Sequence, residues 1–136
     1  MTGIHPQLAV RRSAEAVEFY KAAFGATERH RVENDAGEVV CQLDVDGAEF
    51  WVSEEAPAHD NHSPESLGGA TTKMLLQVDD PEAAQRRAIE AGATEVYPVG
   101  DAHGWRLGHV RDPYGHHWEI GRPTSSSSAA SSWPGG

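Results

Sequence analysis

The sequence predicts an α+β fold built from two tandem βαβββ modules, which together make one domain over residues 4–121. The first observation is the order of patterns: residues 4–54 and 71–121 each read as a strand, a helix and three strands. The second is the polar stretch at 55–70 between them, where prolines and a Gly-Gly pair indicate a linker.

The third observation is a recurrence of short motifs between the two halves. The tetrapeptide Gly-Ala-Thr-Glu occurs at 25–28 and again at 92–95, after the predicted helix of each half. An Asp-x-x-Gly turn occurs at 44–47 and again at 112–115, before the last strand of each half. Recurrence at matched points of two similar patterns indicates an internal repeat.

In the first module, alternation of apolar and polar residues predicts a strand at 4–10. Val17, Tyr20 and Phe24 lie at helical spacing, which predicts a helix that begins after Ser13 as N-cap and ends before Gly25. Three strands follow at 26–32, 39–45 and 48–53, joined by hairpin signals at 35–37 and 46–47.

In the second module, the first strand is predicted at 71–78. Asp80 as N-cap, Pro81 in the first turn and Gly92 after the end predict a helix between them. Strands at 93–99, 106–111 and 116–121 complete the module. The Ser-rich composition of 122–136 predicts a flexible tail.

Composition and charge restrict the function classes. The net charge of −10 argues against nucleic acid or an anionic membrane as partner, because both require a basic surface. No stretch approaches the roughly 20 apolar residues of a membrane span, and the first residues lack the pattern of a signal peptide. The single cysteine, Cys41, lies in a strand pattern as a buried thiol, so we expect a cytoplasmic protein.

The stretch 111–121 combines a turn with a short alternating strand. Its Asp-Pro-x-Gly sequence has turn chemistry, and the strand after it puts Trp118 and Ile120 on one face and His117 and Glu119 on the other. This stretch resembles the last hairpin of the glyoxalase/bleomycin-resistance/dioxygenase family, also called the vicinal oxygen chelate family. The resemblance implies that the modules form a curled, antiparallel-rich mixed sheet around an open cup, usually completed by a second subunit. We therefore expect a homodimer.

One face of the predicted sheets is apolar and is expected to pack on the helices, whereas the other carries polar and aromatic side chains. If the sheet curls as the resemblance implies, that second face is concave and binds a small molecule; a plain solvated sheet face is the alternative. The ligand-binding candidates on it are His5, Gln7, Glu49, Trp51, Ser53, Lys73, Gln77, His117 and Glu119.

Metal-binding members of the resembled family have four ligands, and the internal repeat pairs their positions here as His5 with Lys73 and Trp51 with Glu119. Only His5 and Glu119 are metal-ligand types, which makes an incomplete set, since three protein ligands are the usual minimum. A tightly held cofactor is therefore not expected; a divalent metal (Zn, Ni, Mn or Fe) stays open as the alternative. Lys73 is expected to meet Glu119 in a hydrogen bond of about 2.7–2.9 Å in place of the metal, or else to extend into solvent.

Two functions follow from the resemblance. The first is a metal-free binding protein of the drug- or metabolite-resistance type, with Trp51 as a stacking surface and the acidic charge favouring a cationic ligand. The second is a metal-dependent lyase or isomerase of the glyoxalase type, in which Glu119 is the catalytic residue and moves a proton. The role of the linker stays open, because in the resembled family it often folds over the cup.

Overall fold

The structure, a computed structural model, describes residues 1–124, which form two modules of one helix and four strands each. The first comprises β1 (Gln7–Val10), α1 (Ser13–Phe24), β2 (Thr27–Glu33), β3 (Val39–Val45) and β4 (Ala48–Glu54). The linker contains a 3-10 turn (Pro57–His59) and the short helix α2 (Pro64–Leu67). The second comprises β5 (Lys73–Gln77), α3 (Pro81–Ala91), β6 (Thr94–Ala102), β7 (Trp105–Arg111) and β8 (His117–Pro123).

Each module forms its own four-stranded mixed sheet, and the two sheets have the same topology. Their strand orders are β1-β4-β3-β2 and β5-β8-β7-β6, with a parallel pair at one edge and antiparallel pairs elsewhere. Gln7 pairs with Trp51 in the first parallel pair, and Leu75 pairs with Glu119 in the second. The α+β class and the two βαβββ modules are thus confirmed, and Trp51 and Glu119 occupy equivalent positions of the repeat.

An aromatic cluster joins the two modules through their apolar faces. The Trp118 ring of β8 lies 4.7 Å from Phe24 and 5.6 Å from Tyr20, both on α1, and 5.4 Å from Phe50 on β4 (centroid distances). All four side chains are buried, in one core to which both modules contribute. Because Phe50 and Trp118 point into this core, the opposite sheet faces, which carry Trp51 and Glu119, point away from it.

The start of α3 and the end of α1 have identifiable causes. The Asp80 side chain caps α3 by accepting a hydrogen bond from the Ala83 amide, as predicted. Gly25 ends α1 in the left-handed region at φ 71°. The predicted N-cap of α1 is wrong: Arg12 holds that position, and Ser13 is the first helical residue. The Ser13 hydroxyl instead donates to Glu54 and accepts from the Val39 amide, so strands β3 and β4 engage it.

Several predicted strand boundaries also differ, among them the start of the first strand and the end of the last. The first strand starts at Gln7 rather than at residue 4, and the Ile4 side chain before it is 96% exposed. Strand β8 continues to Pro123, because Arg122 and Pro123 pair with β7. The predicted tail therefore loses its first two residues to the sheet, and 125–136 lie outside the described residues.

The linker is folded against both modules. The Glu55 carboxylate accepts hydrogen bonds from the Ser63 amide and the Ser66 hydroxyl, which closes the linker into a loop. Arg11 also donates to Ser66. Pro64 is buried against Gly115, where an added Cβ would lie 2.7 Å from the proline side chain. None of the helices described here is long and apolar enough to cross a membrane.

Candidate functional site

The outward face of the second sheet carries a cluster of five polar side chains, which we call the Glu119 cluster. Glu119, His109 and Tyr97 are consecutive cross-strand neighbours on β8, β7 and β6. Lys73 on β5 pairs with His117 on β8, one step along the sheet. Because paired residues point to the same face, these five side chains lie together on the outward face of the sheet.

Glu119 is the centre of the cluster. The Tyr97 hydroxyl donates to Glu119 Oε2 at 2.9 Å, and Lys73 Nζ lies 3.3 Å from the same oxygen. Glu119 is only 9% exposed, whereas the Lys73 side chain is 54% exposed. The expected Lys73–Glu119 contact is therefore present as an ion pair, longer than the predicted hydrogen bond.

The two histidines of the cluster form a pair. His109 Nε2 lies 2.9 Å from His117 Nδ1, and the His109 ring also contacts the Tyr97 ring edge-on at 5.2 Å. Burial, helped by the charges of His117 and Lys73, lowers the pKa of His109. His109 is therefore neutral at pH 7. Across the 2.9 Å contact one ring donates its N–H and the other accepts.

Tyr97 remains a hydrogen-bond donor over a wide pH range. Burial and the hydrogen bond to Glu119 raise the pKa of Tyr97 to about 12. The strand position of Tyr97 is set by the buried Gln85 of α3, whose amide donates to the Tyr97 carbonyl at 2.9 Å. The helix thus fixes the backbone of the residue that holds Glu119.

The first sheet carries an equivalent row of side chains, which we call the Trp51 row. Gln7, Trp51, Gln42 and His30 are consecutive neighbours across β1, β4, β3 and β2. The His30 and Trp51 rings contact each other edge-on at 6.0 Å. The indole is half-buried, so one surface of it is open to a ligand.

Eight of the nine predicted ligand-binding residues lie on the two sheets. Lys73, His117 and Glu119 meet in the Glu119 cluster, and Gln7 and Trp51 adjoin in the Trp51 row. Glu49 and Ser53 are half-buried on either side of Trp51, and Gln77 is exposed at the end of β5. His5 is exposed ahead of β1, with its ring beside Gly3.

Sequence reasoning missed Tyr97 and His109, the two partners that complete the Glu119 cluster. The His103-Gly104 turn fixes the β6–β7 register at its start, with Ala102 opposite Trp105. Two irregularities, between Glu95 and Tyr97 and between Tyr97 and Gly100, then shift that register. Counting back from the turn therefore does not place Tyr97 opposite His109.

The four residues predicted at metal-ligand positions do not fit a tightly held divalent ion. Trp51 has no donor atom for a metal, and Lys73 brings a cation. His5 lies outside the strand that would direct it, and Glu119 Oε2 is engaged by two donors. Within residues 1–124, no group of three His, Cys, Asp or Glu side chains is arranged to hold a metal.

Comparison with known proteins identifies relatives over most of the chain. The sequence profile of the Glyoxalase/Bleomycin resistance protein/Dioxygenase superfamily matches residues 4–120. An uncharacterized protein of Mycobacterium tuberculosis (strain H37Rv) is 37% identical over 125 residues, which cover 88% of this chain and 74% of the relative. An uncharacterized Arabidopsis thaliana protein is 33% identical over 115 residues, covering 76% of this chain and 68% of the relative.

Solved structures show the same fold. The Arabidopsis thaliana gene product is 32% identical with a TM-score of 0.68, covering 88% of this chain and 96% of that one. TioX from Micromonospora sp. ML1 is 30% identical, also at 0.68, covering 89% and 99%. A mutant of the fosfomycin resistance protein FosX of Listeria monocytogenes, solved with Mn(II) and 1S,2S-dihydroxypropylphosphonic acid, shares the fold at 15% identity (TM-score 0.68, 95% of each chain). With this profile match and these relatives, the chain belongs to the glyoxalase/bleomycin resistance protein/dioxygenase superfamily.

Proposed function

We propose that this protein binds a small organic molecule between the Trp51 row and the Glu119 cluster, without a tightly held metal. The observation that carries the proposal is the state of Glu119. Its Oε2 accepts from Tyr97 and pairs with Lys73, so an internal cation already neutralises the carboxylate that would otherwise attract a metal. An ammonium has three donors, and Lys73 keeps two for an oxygen of the ligand.

Binding is favoured over catalysis by the same contacts. In the lyase or isomerase alternative, Glu119 moves a proton to or from a substrate. A carboxylate that is 9% exposed and shared by two donors is poorly placed for that role. The half-buried Trp51 indole, by contrast, offers a flat apolar surface, and such surfaces contribute strongly to ligand affinity.

We also propose that the binding cup is completed by a second copy of the chain. The Trp51 row and the Glu119 cluster lie on different sheets, and both point away from the core that the sheets share. Facing a partner would bring the Trp51 row of one subunit against the Glu119 cluster of the other. A cytoplasmic location is part of this proposal, since a reducing compartment suits the single buried thiol of Cys41.

Metal analysis and a ligand screen test the proposal together. Protein purified without chelators is expected to contain far less than one equivalent of Zn, Ni, Mn or Fe. Lys73→His, which places a metal-ligand type beside Glu119, is expected to bind Zn or Ni more tightly than the parent. A stoichiometric metal in the parent protein, needed for ligand binding, would contradict the proposal.

In the ligand screen, compounds that raise the melting temperature are re-measured on two tryptophan variants. Trp51→Phe is expected to weaken binding about tenfold through lost stacking area. Trp105→Phe is the matched control, because residue 105 lies about 13 Å along β7 from His109 at roughly 3.3 Å per residue. Hits that respond to Trp105→Phe but not to Trp51→Phe would place the ligand elsewhere.

A further inference from the structure

A cleft of about 280 Å³ lies between the two modules, next to the Glu119 cluster. Three consecutive residues of β4 (48–50) and four consecutive residues of β5 (73–76) line it. Successive strand residues point to opposite faces, so a cleft touched by all of them runs along the strand edges. Pro6, Val45 and Trp118 complete its lining.

Both strand edges at the cleft lack a neighbouring strand among the described residues. The β1–β4 ladder begins only where Gln7 meets Trp51, so the start of β4 has no partner on that side. Strand β5 pairs with β8 on one side, and its other edge is free. The cleft is therefore an opening between two sheets rather than a packing defect inside one.

The lining divides into an apolar floor and a charged mouth. The floor consists of core-side residues: Val45, Phe50, Met74, Leu76 and Trp118. Glu49 and Lys73, which belong to the outward faces, stand at the mouth. Within residues 1–124 no hydrogen bond or ion pair engages the Glu49 carboxylate, and Lys73 is engaged only by its ion pair with Glu119.

We propose that this cleft binds an apolar α-amino acid, with side chains of the size of leucine to phenylalanine. The ligand's ammonium pairs with Glu49, its carboxylate takes the two remaining donors of Lys73, and its side chain enters the apolar floor. A simple amine would leave Lys73 with Glu119 as its only partner, and a simple acid would leave Glu49 without a donor. The inference rests on the proposed function, because Lys73 belongs to both sites.

The test uses L-phenylalanine and two analogues that each lack one charge: L-phenylalaninamide without the carboxylate and 3-phenylpropanoate without the ammonium. Affinities are measured by calorimetry on the full chain. Glu49→Gln is expected to weaken L-phenylalanine and the amide about tenfold, each losing a charge-assisted contact, and to leave 3-phenylpropanoate unchanged. Lys73→Gln is expected to weaken L-phenylalanine and 3-phenylpropanoate and to leave the amide unchanged.

Glu90→Gln is the matched control, since it removes one negative charge from an exposed position of α3. It is expected to leave all three affinities unchanged. A loss for Glu90→Gln equal to that for Glu49→Gln would show a response to net charge alone and would overturn the site. So would a failure of all three probes to bind at millimolar concentration.

Two labels locate the bound probe. Met1 and Met74 are the only methionines, so ¹³C-methyl labelling gives one reporter in the cleft and one terminal control. In 5-fluorotryptophan protein, Trp118 reports on the cleft and Trp51 on the cup. Shifts of Met74 and Trp118 with a silent Met1 support the inference. A shift of Trp51 with Met74 silent overturns it and leaves the proposed function standing.

Two other occupants are distinguished by the same Met74 signal before any probe is added. The N-terminal residues of the chain are one alternative occupant, since Pro6 lines the cleft and Ile4 is exposed. If they occupy the cleft, Ile4→Ser shifts the Met74 signal of the free protein. A second copy is the other, and it would make that signal depend on protein concentration. Either result overturns amino-acid binding. An unchanged signal in both cases supports an open cleft.

Discussion

The carboxylate of Asp112 accepts hydrogen bonds from both modules. Its Oδ2 accepts from the Tyr20 hydroxyl on α1 at 2.5 Å and from Trp118 Nε1 on β8 at 3.0 Å. Its Oδ1 accepts from the backbone amides of Tyr114 and His116. Asp112 is 2% exposed, so no solvent replaces a lost partner. The side chain that shapes the last turn therefore also fixes the two aromatic rings at the junction of the modules.

Asp112→Asn tests this junction. An amide has one oxygen and one NH₂ group, so its nitrogen must face either the backbone donors or the two side-chain donors. We expect a loss of roughly 2–3 kcal/mol in the free energy of unfolding, the cost of leaving buried donors unpaired. Urea denaturation measures it, with the exposed Asp35→Asn as control. Equal stability of the two variants would contradict the role given to Asp112.

For individual residues, the sequence predicted some contacts and not others. Asp112 was predicted as a turn residue because its effect on the next residues is local. Its contact with Tyr20 joins residues 92 positions apart in the sequence and depends on how α1 packs. A short sequence pattern does not predict such a contact. Lys73 was expected beside Glu119 because the family resemblance puts both at positions that meet at one metal ion. His5 holds the position equivalent to Lys73 in the repeat, but it lies two residues before β1 begins.

Among the elements, β6 shows how packing overrides a simple register. The Gln85 side chain of α3 lies directly over Gly108 of β7, where an added Cβ would lie 2.1 Å from its oxygen. This close approach lets Gln85 reach the Tyr97 carbonyl, at the point where β6 departs from regular pairing. Gly108, Gln85 and the irregular pairing of β6 therefore depend on one another. Alternation of apolar and polar residues along the sequence does not predict this arrangement.

The linker also has a defined structure, and the Glu55 carboxylate that holds it is titratable. Hydrogen bonds from the Ser63 amide and the Ser66 hydroxyl lower the pKa of Glu55 to about 2. A carboxyl group whose pKa is depressed on folding stabilises the fold above its ordinary pKa of 4.5. That contribution is lost as the pH falls from 4.5 towards 2.

We therefore expect the Ser63 amide resonance to titrate with a midpoint near pH 2, measured by ¹H–¹⁵N NMR. In the Glu55→Gln variant, whose side chain has no titrating group, the resonance should not move over this range. A midpoint near the ordinary value of 4.5 in the parent protein would show that these hydrogen bonds do not hold the linker in solution.

In the whole molecule, the repeat produces an equivalent row of four residues across each sheet, but the side chains in the two rows differ in chemistry. The row reads Gln7, Trp51, Gln42, His30 in the first sheet and Leu75, Glu119, His109, Tyr97 in the second. One sheet offers an aromatic surface with amides, and the other a held carboxylate with a nearby ammonium. A ligand that contacts both needs the two sheets opposite each other. Within one chain their apolar faces are the ones that meet.

The proposed dimer would bring the outward faces together. The exposed Val32 and Val40 border the Trp51 row, and the exposed Leu75 borders the Glu119 cluster, so apolar surface is available on both. We expect light scattering at tens of micromolar to give twice the chain mass of 14.7 kDa. Val40→Glu should lower the mass towards that of one chain. Ile89→Glu, an equally apolar and exposed position on α3, should not.

Mixing two binding-deficient variants decides whether the cup belongs to one chain or to two. Trp51→Ala and Lys73→Ala are each expected to lose a ligand that depends on both residues. If each cup takes Trp51 from one subunit and Lys73 from its partner, a mixed dimer has one cup in which both residues are intact. Random exchange of subunits should then restore about a quarter of the parent binding capacity. If both residues act within one chain, every cup in the mixture lacks one of them. The capacity would then stay at the level of the separate variants.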